Sequence, residues 1–78
     1  MKQELISFLG DLFMPDLERI DESNLLNYPA VDVFAKDNFF TQGLLMTLFR
    51  FAAAHGYMYY MDADGGNFRM RIYNKVES

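Results

Sequence analysis

The sequence predicts a single compact α+β domain over residues 1–78, in which two main helices pack on a small antiparallel sheet. Three observations predict this class: apolar residues at helical spacing near the N-terminus, a long apolar run in the middle, and alternation around two glycines near the C-terminus. The sheet is expected to consist of a C-terminal β-hairpin plus a short edge strand. The predicted order is α-(α)-β-α-β-β, and no internal repeat is visible.

The first helix is predicted over residues 2–13 and ends before Pro15, because the residue before a proline is disfavoured in the helical conformation. Its apolar face consists of Leu5, Phe8, Leu9, Leu12 and Phe13. Short helical turns are expected after it, one beginning at Asp16 and one capped by Ser23 or Asn24.

A short strand is predicted next, where Val31, Val33 and Ala35 alternate with other residues. Two of these side chains are β-branched, which favours a strand, and its shortness suits the edge of a sheet.

The longest helix is predicted over residues 39–55, with Asp37 and Asn38 as its N-cap and Gly56 as the left-handed residue that stops it. Its polar side chains form only a narrow stripe. A helix so nearly apolar all round is expected to be central and covered on most sides.

The C-terminal hairpin is predicted from Gly65 and Gly66, which occupy the two positions that require positive φ in the commonest tight turn. One register sorts the side chains by polarity. Its apolar face pairs Ala63 with Phe68, Met61 with Met70, and Tyr59 with Ile72. Its other face pairs Asp62 with Arg69, Tyr60 with Arg71, and Met58 with Tyr73, which predicts an ion pair and a cation–π pair.

A calcium loop is the competing interpretation of this stretch. Asp62 and Asp64 fit its first and third positions, but Tyr73 occupies the twelfth, where a bidentate glutamate belongs. The hairpin is therefore preferred, and no metal or cofactor is expected.

Catalysis is not expected either. The chain has no cysteine, one histidine, and no GxGxxG, Walker or HExxH pattern. His55 lies beside a predicted helix C-terminus, where a protonated imidazole interacts favourably with the helix dipole. The protein is therefore predicted not to be an enzyme.

The composition is unusually apolar for so short a chain, which fits either a core densely packed with aromatic side chains or a surface buried against a second chain. It is 51% hydrophobic, with 8 Phe, 5 Tyr and 6 Met. Nothing approaches the roughly 20 apolar residues of a membrane span, and the N-terminus is a poor signal peptide, so a cytoplasmic location without membrane contact is expected.

The net charge of −4 is unevenly distributed. Residues 1–37 carry eight acidic and three basic residues, whereas residues 38–78 carry three acidic and four basic ones. The first half therefore predicts an acidic surface that repels phosphate backbones and attracts basic partners. It consists of Asp11, Asp16, Glu18, Asp21, Glu22, Asp32 and Asp37. One hypothesis, by analogy of class and without a supporting motif, is that this surface mimics nucleic acid, as some phage-encoded inhibitors do.

These features favour a small acidic protein–protein interaction module that inhibits or regulates another protein. The preferred contact surface is the outer face of the hairpin, because tyrosine and arginine are enriched at binding hot spots. It consists of Met58, Tyr60, Arg69, Arg71 and Tyr73. The aromatic excess is equally consistent with a well-filled core, and a homodimer would also bury it.

The alternative is nucleic-acid binding. A helix followed directly by a hairpin resembles the end of a winged helix-turn-helix domain, which would make residues 39–55 the recognition helix. Arg69, Arg71 and Lys75 would then contact phosphates. That helix offers only Gln42 and Arg50 to base edges, and the overall charge opposes binding, so nucleic acid is the less favoured partner.

Overall fold

The computed structural model describes residues 1–25, 28–38 and 40–75. In chain order its elements are helix α1 (Lys2–Leu9), strands β1 (Leu17–Leu25) and β2 (Tyr28–Ala35), helix α2 (Gln42–His55), and strands β3 (Met58–Asp64) and β4 (Asn67–Tyr73). Short 3-10 turns lie at Met14–Asp16 and Lys36–Asn38. The strands form one antiparallel sheet in the order β1-β2-β4-β3. The predicted α+β class with two main helices is confirmed.

Strand β1 is the main departure from the predicted order, because it occupies residues where the sequence predicts short helical turns. Leu17 and Ile20 are both buried although they are three residues apart, which is a helical spacing. The pairing with β2 shifts by one residue between Leu17 and Arg19. This β-bulge turns both apolar side chains to the same side of the sheet.

Strand β2 is central and not at an edge, because β1 covers the side that would otherwise be open. It lies between β1 and β4, and every residue from Ala30 to Ala35 is buried. Central strands are covered along both sides, so the predicted edge position is wrong.

The helix ends also differ from the prediction. Helix α1 stops at Leu9, before Gly10, which has a positive φ of 64°. Helix α2 begins later than predicted: Thr41 is its N-cap, and the Thr41 hydroxyl accepts a hydrogen bond of 3.2 Å from the Leu44 amide. Asp37 has a φ of 57° and belongs to the turn after β2. The left-handed Gly56 at the end of α2, with φ 69°, is confirmed.

The predicted hairpin register is confirmed at every pair, from Met58 opposite Tyr73 to Asp64 opposite Asn67. Gly65 and Gly66 form the two-residue turn, with φ of 60° and 88°. Positive φ at both positions is the signature of the turn whose twist matches that of the paired strands.

Both helices pack on one face of the sheet, where the core lies. Its buried residues are Leu5, Leu9, Leu17, Ile20, Val31, Val33, Ala35, Leu44, Leu48, Phe51, Ala52, Met70 and Ile72. Helix α2 buries one face and exposes Met46 and Arg50 on the other, so it is not covered on most sides as predicted. The opposite face of the sheet carries no helix within the described ranges.

The fold contains a structural repeat that the sequence does not reveal. Each half has the order helix, strand, strand, and a shift of 39 residues converts the β1–β2 register into the β3–β4 register, so that Asp21 opposite Asp32 becomes Tyr60 opposite Arg71. Buried Leu5 and Leu9 correspond in the same way to buried Leu44 and Leu48. Since β2 and β4 pair antiparallel, the two halves are related by a pseudo-two-fold axis between these strands.

Candidate protein-binding surface

The helix-free face of the sheet collects most of the side chains predicted to bind a partner. Antiparallel pairing places residues in rows across the four strands. One row contains Arg19, Phe34, Arg69 and Asp62, the next contains Asp21, Asp32, Arg71 and Tyr60, and the third contains Ser23, Ala30, Tyr73 and Met58. The five predicted contact residues therefore lie together on β3 and β4.

Arg71 and Asp32 form a buried ion pair at the centre of this face. Nε and Nη2 of Arg71 donate hydrogen bonds of 2.6 and 2.8 Å to the two carboxylate oxygens of Asp32. These bonds raise the pKa of Arg71 above its ordinary value. Both residues are at least nine-tenths buried. Asp32 is thus not part of an exposed acidic surface, and Arg71 lies on the predicted outer face but is buried there. Each residue makes the hydrogen bonds that the other needs.

A second pair joins Asp62 to Arg69 on the same face, as predicted. Arg69 Nε and Nη2 each donate a bond of 2.7 Å to the Asp62 carboxylate. These bonds lower the pKa of Asp62 below its ordinary value. Nη1 of Arg69 also lies 3.9 Å from Asp32, so the two pairs form one network.

Tyr60 borders this network. Its hydroxyl accepts a hydrogen bond of 3.2 Å from Arg71 Nη1, and the guanidinium carbon lies 6.0 Å from its ring centre, in agreement with the predicted cation–π pair. The Tyr60 ring meets that of Tyr73 edge to face at 5.9 Å. Both guanidinium groups are thus engaged within the protein, and the aromatic and methionine side chains form the accessible part of the hairpin.

Exposed apolar side chains are concentrated on the hairpin, and we call this group the hairpin patch. It consists of Met58, Tyr59, Tyr60, Met61 and Phe68. Tyr59, Met61 and Phe68 lie on the helix-bearing face and are predicted from sequence to point into the core. Tyr59 and Met61 stay exposed on the outer strand β3, and strand order is not readable from alternation alone. Phe68 lies on β4 next to the turn, one residue beyond the last β4 residue that pairs with β2.

The two outer strands differ sharply in chemistry although they are equivalent in the repeat. At the positions where β3 has Met58, Tyr60 and Met61, the 39-residue shift gives Arg19, Asp21 and Glu22 on β1. Charged side chains and a bulge protect an outer strand against pairing with another chain. Strand β1 has both, and β3 has neither along Met58–Met61.

The β1 side chains are also engaged locally. Arg19 Nε donates a bond of 2.8 Å to Asp21, and the Arg19 guanidinium lies 3.8 Å from the ring centre of Phe34. This stacking covers Phe34, which is buried on a face without helices. Glu22 accepts a bond of 3.0 Å from the Lys2 amide at the start of α1.

The predicted acidic residues do not form one surface. Glu18, Asp21 and Glu22 lie exposed on β1, whereas Asp11 and Asp16 lie in the connection before it. Asp37 is exposed in the turn after β2. The acidity is therefore concentrated along the β1 edge and the connection leading to it.

His55 is the last residue of α2, as predicted, and it contacts side chains of Glu4 and Tyr57. His55 Nδ1 lies 3.8 Å from a Glu4 carboxylate oxygen, and its ring stacks on Tyr57 at 5.1 Å.

Within residues 1–25, 28–38 and 40–75, no group of three or more metal-ligating side chains converges. Over the same ranges, no helix is long and apolar enough to cross a membrane.

The helix-then-hairpin order behind the winged-helix resemblance is present in α2, β3 and β4. Arg69 and Arg71, the predicted phosphate contacts, are however bound to carboxylates.

Comparison of this chain with protein-family models, curated proteins and solved structures gave no match.

Proposed function

We propose that this protein is a non-catalytic protein–protein interaction module that inhibits or regulates another protein, and that it makes contact through β3 and the hairpin patch. The observation that carries the proposal is the contrast between the two outer strands. One is charged and bulged, and the other presents Met-Tyr-Tyr-Met.

The chemistry of the hairpin patch supports this proposal. Tyrosine is enriched at binding hot spots, and methionine adapts its shape to varied partners. Surface apolar residues that occur singly are normal, but here five of them lie close together at one edge of the sheet, on both of its faces. The internal ion pairs leave this patch without unpaired charge from Arg69 or Arg71, which lowers the cost of desolvation on binding.

The test compares two glutamate variants with the wild type, each immobilised at equal density and exposed to extract of the native host. Met61→Glu places on β3 the side chain that β1 has at the equivalent position. Met14→Glu is the matched control, since Met14 is 43% exposed and Met61 is 42% exposed, and Met14 lies beside β1. We expect Met61→Glu to reduce capture of a specific protein about tenfold or more, the effect of a hot-spot residue.

Equal capture by the two variants would remove the hairpin patch as the contact surface. Duplex DNA titrated at low salt provides a second arm. Tight binding that weakens steeply as salt is added would favour nucleic-acid recognition and overturn the proposal.

A further inference from the structure

We propose that β3 pairs with β3 of a second copy of this chain about a two-fold axis, which joins the two four-stranded sheets into one continuous antiparallel sheet. This inference rests on the proposed function, because it uses the same β3 edge, and it names a second copy of this chain as the occupant of that edge when no other protein is bound there.

The backbone of β3 is available for this pairing. Within the described ranges β3 pairs only with β4. Asp64 and Asn67 close a two-residue turn, so their backbone groups face one another, and alternation turns those of Tyr59, Met61 and Ala63 away from β4. Three residues therefore present amide and carbonyl groups to a neighbouring strand.

The register follows from the symmetry. A two-fold axis perpendicular to the sheet keeps each side chain on its own face. Residues that lie opposite each other in an antiparallel pair point to the same face, so one residue of β3 must lie on the axis, opposite the same residue of the second copy. With Met61 at the axis, all seven residues of Met58–Asp64 are paired. Tyr59 then lies opposite Ala63, and Tyr60 opposite Asp62. Moving the axis to Asp62 would bring two carboxylates together, which is unfavourable.

The charge distribution permits two copies to meet at this edge. Strands β3 and β4 carry Asp62, Asp64, Arg69 and Arg71, with no net charge. The acidic β1 strands would lie at opposite ends of the joined sheet, about 34 Å apart at about 4.8 Å per strand, several times the Debye length of about 8 Å. A negatively charged protein can therefore self-associate here without bringing its acidic edges together.

The difference between the edges also closes the assembly. Pairing of β3 with β1 of another copy would repeat without end and form filaments. The charges and the bulge of β1 disfavour pairing between β3 and β1, so β3 is the outer strand that remains for pairing in each copy. When the β3 strands of two copies pair with each other, neither copy has an unprotected outer strand left. The expected assembly is a dimer.

Sedimentation velocity over a wide concentration range tests the assembly state. We expect the mass to rise from 9.1 kDa toward twice that value with concentration, and Met61→Glu to abolish the rise while Met14→Glu keeps it. Circular dichroism checks that both variants are folded. A monomeric mass at every concentration, or a dimer that Met61→Glu leaves intact, would overturn the inference.

Cross-linking tests the register, because the chain has no cysteine of its own. With Met61→Cys at the axis, the Cα atoms of the two cysteines would lie about 5.5 Å apart, which is within the range of a disulfide. Mild oxidation should convert Met61→Cys to a covalent dimer at least ten times faster than Met14→Cys. Equal rates would overturn the Met61-centred pairing.

The two proposals fail in different ways. A strictly monomeric protein whose capture of a host protein still depends on Met61 would end the dimer and leave the proposed function standing. Capture that is equal in Met61→Glu and Met14→Glu would end the proposed function at this edge, whatever the mass.

Discussion

Arg71 and Asp32 lie directly opposite each other on the two central strands, and the Arg71 guanidinium donates two hydrogen bonds, of 2.6 and 2.8 Å, to the Asp32 carboxylate. This pair connects two parts of the chain that are 39 residues apart. Because both groups are buried, each depends on the other for the hydrogen bonds that water would otherwise supply.

Asp32→Leu is expected to lower the free energy of unfolding by about 3–5 kcal/mol, because it leaves the Arg71 guanidinium buried without its carboxylate. Urea unfolding followed by circular dichroism measures this. The double variant Asp32→Leu with Arg71→Met should recover most of the loss, since no buried charge remains. Additive losses in the double variant would show that the pair is not coupled.

Asp62 makes stability depend on acid. Its pKa is lowered from 3.8 by the hydrogen bonds from Arg69, so the folded state binds this proton less readily than the unfolded state. The contribution is present above about pH 3.8 and is lost as the pH falls through the folded pKa. We expect Asp62→Asn to unfold with a shallower loss of stability between pH 5 and pH 2 than the wild type, in urea titrations at each pH. If the stabilities of the wild type and Asp62→Asn fell in parallel between pH 5 and pH 2, the ion pair between Asp62 and Arg69 would be contradicted.

The hairpin turn requires a glycine at position 66. Gly66 has a φ of 88°, and an added Cβ would meet no atom within 4 Å, so the cost of Gly66→Ala is backbone strain alone. We expect a loss of about 1–2 kcal/mol in thermal or urea unfolding. Gly65→Asn is the control, since asparagine suits the first position of this turn, and it should change stability by less than about 0.5 kcal/mol.

Phe51 holds the two helices together. It is fully buried, and its ring meets that of Phe8 edge to face at 5.5 Å. Phe51→Ala should cost about 3–5 kcal/mol of stability, because it leaves a cavity between α1, α2 and the sheet. Met46→Ala on the exposed side of the same helix should stay within about 0.5 kcal/mol of wild type. Similar losses for both would contradict the position of the core.

The hairpin was predictable because its determinants are local. Gly65 and Gly66 fix the turn, and alternation fixes the register on either side of it. The αL stop at Gly56 is local in the same sense. Both were accessible from a few consecutive residues.

Strand β1 was not predictable in this way, because its bulge gives Leu17 and Ile20 the spacing of a helix. When β1 is not predicted, β2 has a neighbouring strand on one side only and is therefore predicted as an outer strand. The candidate surface depends on the same information: Asp32 is an ordinary acidic residue in the sequence, and only the long-range pairing of β2 with β4 buries it beside Arg71. The exposure of Met61 likewise follows from strand order, because β3 is an outer strand.

The pseudo-two-fold axis has a consequence for how such a chain can diverge. In a symmetric pair of identical half-length chains, the residue on the axis would face its own twin, and two aspartates or two arginines there would repel. Within one continuous polypeptide the equivalent positions are free to differ, and here they hold Asp32 and Arg71. Covalent linkage of the halves thus permits opposite charges at the one place where strict symmetry forbids them.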